Sequence, residues 1–383
     1  MTRSSSTALI VQGYIPKYRV EFFNQLRERG AERSIRAVVA AGSANRSDRS
    51  REDETTSAAD YQLATRRLGY GSKGLLIHSL NEVLIRESPQ FIIIEQALKN
   101  WEMWRFLVPR HGKALRVGLW GQGGNYSRPA NHLEQGLKSW LTNKADWFFA
   151  YTEGGAGQVA RSGFPRKRIT ALQNSSDTVG LRADTEGIAE WEVEAFRDRH
   201  GLVAGQVGLF LGGVDERKGM PFLLEAAQAV ACRVRDFKLV VGGSGDQVPL
   251  VQDQVSMGAP VCYLGRVDGR EKALALAAAD IVMVPEWVGL VAVDALCAGR
   301  PIATTKHPSH SPEFEYLEDG VTAVVSEHEV TTYAASIASL IEDPQRLARM
   351  KRDCGLRGSK FSVESMADNF VQGILEWRDA TRR

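Results

Sequence analysis

The chain has 383 residues, 43% hydrophobic and 25% charged, with a formal net charge of +2. Such a length exceeds one ordinary core, which stops growing near roughly 250 residues, and suits two α/β domains. No apolar stretch approaches the roughly 20 residues of a membrane helix, and no nucleic-acid partner is expected. The first apolar run, Ala8 to Val11, is too short for the core of a signal peptide and reads as a strand, so the expected location is cytoplasmic. The four cysteines, Cys232, Cys262, Cys297 and Cys354, form no C-x-x-C pair and read as reduced and structural. The near-neutral total hides an asymmetry: residues 1 to 180 hold 26 Lys and Arg against 16 Asp and Glu, the remainder 22 against 30. The basic half is either a solvated surface or a face for an anionic membrane or a phosphorylated acceptor.

Short runs rich in Val, Ile and Phe recur with room for a helix between them, as in βαβ units around a parallel sheet. In chain order they are Ala8 to Val11, Ile35 to Ala40, Phe91 to Ile94, Val117 to Leu119, Trp147 to Ala150 and Ile169 to Leu172. The second set is Val207 to Leu211, Lys238 to Val241, Val261 to Leu264, Ile281 to Val284, Pro301 to Thr304 and Ala323 to Val325. Residues 41 to 60 hold little to bury and read as an exposed, mobile loop. Residues 178 to 205 are polar with little core pattern, so the linker and a flanking helix are placed there. Phe361 to Trp377 has helical spacing through Met366, Phe370 and Leu375. The fold class is therefore α/β, with two doubly wound Rossmann-like domains, in which ligands bind beyond the carboxyl ends of the strands.

Three rim segments carry the candidate chemistry. After Val207 to Leu211 come Gly212-Gly213-Val-Asp-Glu-Arg217-Lys218-Gly219 and a helical pattern. Two cations before a helix N-terminus are unfavourable unless an anion sits there, so Arg217 and Lys218 are phosphate ligands or else solvated surface charges. Gly242-Gly243-Ser-Gly245-Asp246 follows the next strand, where glycine permits close backbone approach to a ligand or simply makes the turn. In Glu286-Trp-Val-Gly289-Leu290-Val-Ala-Val-Asp294 a carboxylate follows a buried strand and a second comes eight positions later among apolar neighbours. Asp294 must then find a hydrogen-bond partner, either ribose hydroxyls or nearby backbone. There is no Asp-x-Asp triplet and no His cluster at ligand spacing, so neither a metal nor a cofactor is expected.

These segments, together with Leu264-Gly265-Arg266-Val267, Ala279-Asp280 and Gly299-Arg-Pro301, make residues 205 to 377 resemble the retaining family 4 glycosyltransferases of the GT-B fold. His310 to Leu317 looks like a variant of the family's loop after the next strand. The N-terminal resemblance is looser and rests on Tyr18-Arg19 to Leu26, Trp120-Gly121-Gln122-Gly123, Ala150 to Glu153 and Asn174 to Asp177. It implies an acceptor-binding domain over 1–180, a nucleotide-sugar-binding domain over 181–360, a central cleft between them, and a C-terminal helix, 361–383, crossing back to the first domain. It also implies Glu286 and Lys218 as catalytic residues, with Glu286 on the transferred sugar and Lys218 on the diphosphate. Arg217, Gly243, Arg266, Val267, Gly289, Leu290 and Asp294 would complete the donor site: the Gly289 and Leu290 amides on phosphates, Asp294 on the ribose, and backbone near Arg266 and Val267 on the base. Gly13, Tyr18, Arg19 and Gln122 are the acceptor or cleft candidates. Gly213 stands where relatives usually carry a phosphate-binding arginine, Asp294 replaces the usual glutamate, and Gln122 occupies a frequent histidine position.

The expected activity is transfer of a hexose-type sugar, with retention and without metal, from a UDP- or GDP-sugar to a hydroxyl of a glycan, lipid-linked or small-molecule acceptor. The basic half adds peripheral association with the inner membrane face. The alternative is a catalytically weakened homologue serving as a sugar-nucleotide-binding partner subunit, which Gly213 and Asp294 motivate. A sugar-nucleotide epimerase is a third reading, against which the Glu286 to Asp294 spacing weighs.

Overall fold

The computed structural model describes residues 5–43, 54–55, 57–69, 74–108, 115–124 and 132–380. The chain divides into two compact units, one of Met1–Asp177 with Val363–Arg383 and one of Thr178–Ser362. Each is built on a parallel sheet whose central strands are buried on both faces and read as continuous apolar runs.

In the first unit, Ser6–Gln12 pairs with Ile35–Ala41 on one side and Phe91–Glu95 on the other, all parallel. Beyond Phe91–Glu95 come Arg116–Gly121, Trp147–Ala150 and Ile169–Ala171; beyond Ile35–Ala41 lies the short edge strand Tyr61–Gln62. Numbered by position in the sheet's own sequence, the order is 3-2-1-4-5-6-7, that of a doubly wound sheet. The closing helix Val363–Ala380 packs here, burying Met366, Phe370, Ile374 and Trp377. Phe370 stacks on Phe149 at 4.5 Å and Trp377 meets Phe91 at 4.7 Å. The buried stripe takes Ile374 rather than the expected Leu375, as the four-residue step from Phe370 requires.

Most of the expected mobile loop at 41 to 60 lies outside the described residues. The part described is tied down: Glu54–Thr55 pairs with Ile15–Pro16, Ala58 is buried, and the Asp60 carboxylate accepts from the Val39 amide at 2.8 Å.

The second unit runs 3-2-1-4-5-6, with Val207–Leu211 in the middle, Lys238–Gly242 and Val261–Gly265 to one side, and Ile281–Met283, Ile302–Thr305 and Ala323–Ser326 to the other. The polar stretch read as a linker with a flanking helix holds two helices of this unit, Thr178–Glu186 and Glu190–His200. Leu181, Phe196 and Leu202 enter its core, too sparse a set to announce itself as a periodic pattern. Asp280 ties the sheet's amino end together, accepting from the Val207 amide at 3.1 Å and from Lys351 at 2.8 Å. Among the described residues no helix is long and apolar enough to cross a membrane.

Candidate functional site

In a doubly wound sheet the first and fourth strands diverge, and the crevice beyond their carboxyl ends is where ligands sit. In the second unit those ends are Leu211 and Met283, which are followed by the two segments singled out in the sequence. Residues Glu216–Lys218 make one turn of 3-10 helix, and Gly219, in the left-handed region at φ +64°, turns the chain into the helix Met220–Ala231. Glycine suits the position, because other residues rarely adopt that φ and a Cβ would stand 2.6 Å from Glu286 Oε1, displacing the carboxylate. Across the crevice the chain leaves Met283 through Pro285, and Trp287 adopts φ +50°. The Lys218 ammonium donates to the Trp287 carbonyl at 2.6 Å, which joins the two segments. Arg217 bonds the Asp215 carboxylate at 3.1 Å and lies over the Trp287 ring at 5.4 Å, exposed at the rim.

The other donor-side candidates stand around this pair. Gly243 accepts a close backbone approach, since a Cβ there would lie 1.8 Å from the Gly212 carbonyl oxygen. Its amide donates to Gly265 O at 2.7 Å, which brings the loop with Arg266 and Val267 alongside. Arg266 is exposed and Val267 half-buried. Gly289 and Leu290 precede a helix of only seven residues, Val291–Cys297. Asp294, 9% exposed, pairs through Oδ2 with Lys272, from the helix Gly269–Ala278, at 2.7 Å. Lys272 was missed in the sequence because it lies 22 positions away on a helix without a motif.

His310 organises the loop beneath. Its Nδ1 accepts from the Val288 amide at 3.1 Å and its Nε2–H donates to Thr305 O at 2.8 Å, so the neutral ring is fixed in one tautomer. Burial pushes its pKa down to about 4. Nearby, the buried Glu313 carboxylate accepts from Ser311 at 2.5 Å. The fold also gathers a set that the sequence did not reveal: one ligand atom each of Glu286, His307 and His328 lie within 4.8 Å of one another. Their positions are 21 apart, which hides the cluster from any spacing rule, and together they could hold a metal ion.

In the first unit the corresponding switch point lies between Gln12 and Glu95. The Gly13 amide donates to Glu95 Oε2 at 3.2 Å, and burial raises the Glu95 pKa. A buried pair, His78 with Glu102, lies near the end of this sheet: His78 Nδ1 sits 3.1 Å from one Glu102 oxygen and the His78 amide donates to the other at 2.8 Å. Neither was flagged in the sequence, where both look like ordinary surface residues. Arg19, read as a cleft candidate, is only 3% exposed. Its guanidinium donates to Asn174 at 2.7 Å and lies within 6 Å of the Tyr18, Phe22, Trp120 and Tyr151 rings, so it serves as a structural tie. Tyr18 is 36% exposed beside it, and Gln122 follows the strand Arg116–Gly121, its carbonyl against Gly155.

Residues 205–343 match the family of glycosyl transferases group 1. A phosphatidyl-myo-inositol mannosyltransferase from Mycolicibacterium smegmatis is 31% identical over 202 residues, 51% of this chain and 50% of the relative. An alpha-D-kanosaminyltransferase from Streptomyces kanamyceticus is 24% identical over 215 residues, 54% of each. The chain thus spans about half the length of the curated relatives it matches. A crystal structure of Anabaena HepE in complex with UDP superimposes with a TM-score of 0.70 at 15% identity, covering 96% of this chain and 99% of that one. The fold is GT-B.

Proposed function

We propose that the chain is a retaining glycosyltransferase whose second unit binds a nucleotide-activated sugar at the switch point of its sheet. The observation that carries this reading is the junction of Lys218, Gly219, Glu286 and Trp287, where a cation and a carboxylate stand at the carboxyl ends of diverging strands. The group 1 match over the same residues, and the UDP bound by a protein of the same fold, support it.

In this reading the acceptor oxygen bonds to the anomeric carbon from the face that the departing phosphate leaves. The carbon–oxygen bond to the diphosphate breaks, and the acceptor's proton passes to the departing phosphate oxygen. Fixed positive charge lowers the barrier most where negative charge grows, which is the part given to Lys218 with the Gly289 and Leu290 amides. Glu286 holds sugar hydroxyls, and Asp294, oriented by Lys272, holds the ribose. A loop with Arg266 and Val267 beside Gly243 receives the base. No step calls for a metal. The acceptor, a glycan, lipid-linked or small-molecule hydroxyl, is assigned to the first unit, in keeping with the excess of basic residues over 1–180.

The test is a thermal-shift screen against UDP, GDP, ADP, TDP and their common sugar conjugates, followed by transfer assays with the sugar nucleotide that binds. A ligand that binds only the folded chain raises its melting point. Binding followed by transfer that Glu286→Gln abolishes, with the fold kept, is the expected result. Binding without transfer to any acceptor would favour the partner-subunit reading, and no binding at all would overturn the donor site.

A further inference from the structure

Two parallel neighbouring strands, Ile302–Thr305 and Ala323–Ser326, end at the same rim of the second unit, and each is followed by a histidine. His307 Nε2 lies 3.8 Å from one oxygen of Glu286, and His328 Nε2 lies 3.4 Å from the other. All three side chains remain partly accessible, with 18% of Glu286, 22% of His307 and 36% of His328 exposed.

The hydrogen bonds around His328 decide what its Nε2 can do. The Thr305 hydroxyl donates to Pro285 O at 2.7 Å, so its oxygen is left to accept from His328 Nδ1–H at 3.0 Å. The neutral ring therefore turns a bare lone pair at Nε2 toward a carboxylate oxygen. Two acceptors facing each other at 3.4 Å call for a cation or a proton between them. Phe222 stacks on the His328 ring at 4.6 Å with 8° between planes, which holds it in that attitude. A histidine whose far nitrogen is hydrogen-bonded so that the near one is free is the arrangement found around metal-ligating rings.

His307 supplies the third donor atom. Its Nδ1 now accepts from the Ser309 amide at 3.3 Å, so ligation through Nε2 moves the ring proton to Nδ1 and gives up one long hydrogen bond for a metal–nitrogen bond. His310 is excluded, because both of its nitrogens are already used within the loop. Zn–N and Zn–O distances of about 2.0–2.2 Å in a tetrahedral site place ligand atoms about 3.3–3.6 Å apart. The 3.4 Å between His328 Nε2 and Glu286 Oε1 matches this, and the set as a whole, within 4.8 Å, needs a small side-chain contraction for one oxygen and both rings to reach one ion.

We propose that Glu286, His307 and His328 form a three-ligand site for a divalent transition metal of the zinc type, with a fourth position open to water or another ligand. Nitrogen, nitrogen and carboxylate oxygen suit zinc and cobalt, whereas magnesium and calcium favour oxygen sets. If Glu286 also holds the donor sugar, ion and sugar compete for one carboxylate; that consequence rests on the proposed donor site, but the metal site does not.

The experiment uses the full chain, free of any histidine tag and stripped with a chelator. Zn(II) is titrated by calorimetry, and Co(II) is followed by its visible ligand-field absorption, both without sugar nucleotide, so failure here leaves the donor assignment untouched. One equivalent should bind, with the intense cobalt bands of a four-coordinate site. His307→Ala and His328→Ala should each weaken binding at least ~10-fold, and Thr305→Val, which removes the hydrogen bond behind His328 together with the one to Pro285 O, about 10-fold. His200→Ala, at a histidine that instead approaches Cys262 at 3.5 Å, should leave binding unchanged. Circular dichroism checks that each variant is folded. Absence of one-equivalent binding, or binding of parental strength in a folded His307→Ala/His328→Ala double variant, would overturn the proposal.

Discussion

Gly219→Ala separates backbone strain from displacement of the site carboxylate. At φ +64° an alanine costs about 1 kcal/mol in backbone strain, which for a domain of 150–250 residues is roughly 2–4 °C in melting temperature. The new methyl carbon would also stand 2.6 Å from Glu286 Oε1 and 2.7 Å from Cδ. Ordinary contact begins near 3.4 Å, so the carboxylate must retreat by about 0.8 Å, and misplacement of that size costs up to about 100-fold in rate. The obstacle is the end of a flexible side chain, so it should yield without adding much to the strain. Gly258→Ala and Gly320→Ala calibrate the strain alone, since these glycines have φ +75° and +76° and nothing within 4 Å of the added carbon. All three variants should melt a few degrees early, measured by differential scanning fluorimetry. Only Gly219→Ala should lose sugar transfer, and Zn(II) affinity with it. Parental transfer in Gly219→Ala would refute the placement of Glu286 in the working site; melting far below the two controls would show that the carboxylate is not the part that yields.

Other outcomes follow from single contacts. Lys218→Ala removes the ammonium that bonds Trp287 O at 2.6 Å, and loss of a charge-assisted bond of about 1.5–3 kcal/mol should weaken nucleoside diphosphate binding more than 10-fold. Unchanged affinity by calorimetry would take Lys218 off the phosphate. Trp377→Ala empties the aromatic cluster around Phe91, Trp147 and Phe149 and should cost about 3–5 kcal/mol in urea unfolding, whereas a parental midpoint would mean the last helix adds nothing to the first unit's core. Of the thiols, Cys232 is exposed, burial raises the pKa of Cys262 and Cys297, and that of buried Cys354 is pushed up to about 12. The thiolate is the reactive form, so Ellman's reagent at pH 8 should titrate one cysteine quickly and the rest only after denaturation. Rapid reaction of all four would count against that packing.

All twelve apolar runs read from the sequence lie on the sheets, because a strand covered on both faces has to be apolar along its whole length. The edge strand Tyr61–Gln62 has no such need and left no signal, and the helices at 178–200 reach the core with too few residues to show a period. The glycines of the second unit's rim were legible for a similar reason: Gly219 and Gly243 occupy backbone positions where a Cβ meets other atoms, and few residue types can stand there. What the sequence determined by itself is thus the set of strands, the doubly wound character and the rim segments, each enforced by local geometry over a handful of consecutive residues. Tertiary structure alone decided who meets whom. Lys272 reaches Asp294, Arg19 is buried among four aromatic rings, and His307 and His328 converge on Glu286. Those meetings depend on the register of parallel strands and the angle of a packed helix, which are set by the summed contacts of a whole core and leave no mark on the spacing of the residues they bring together.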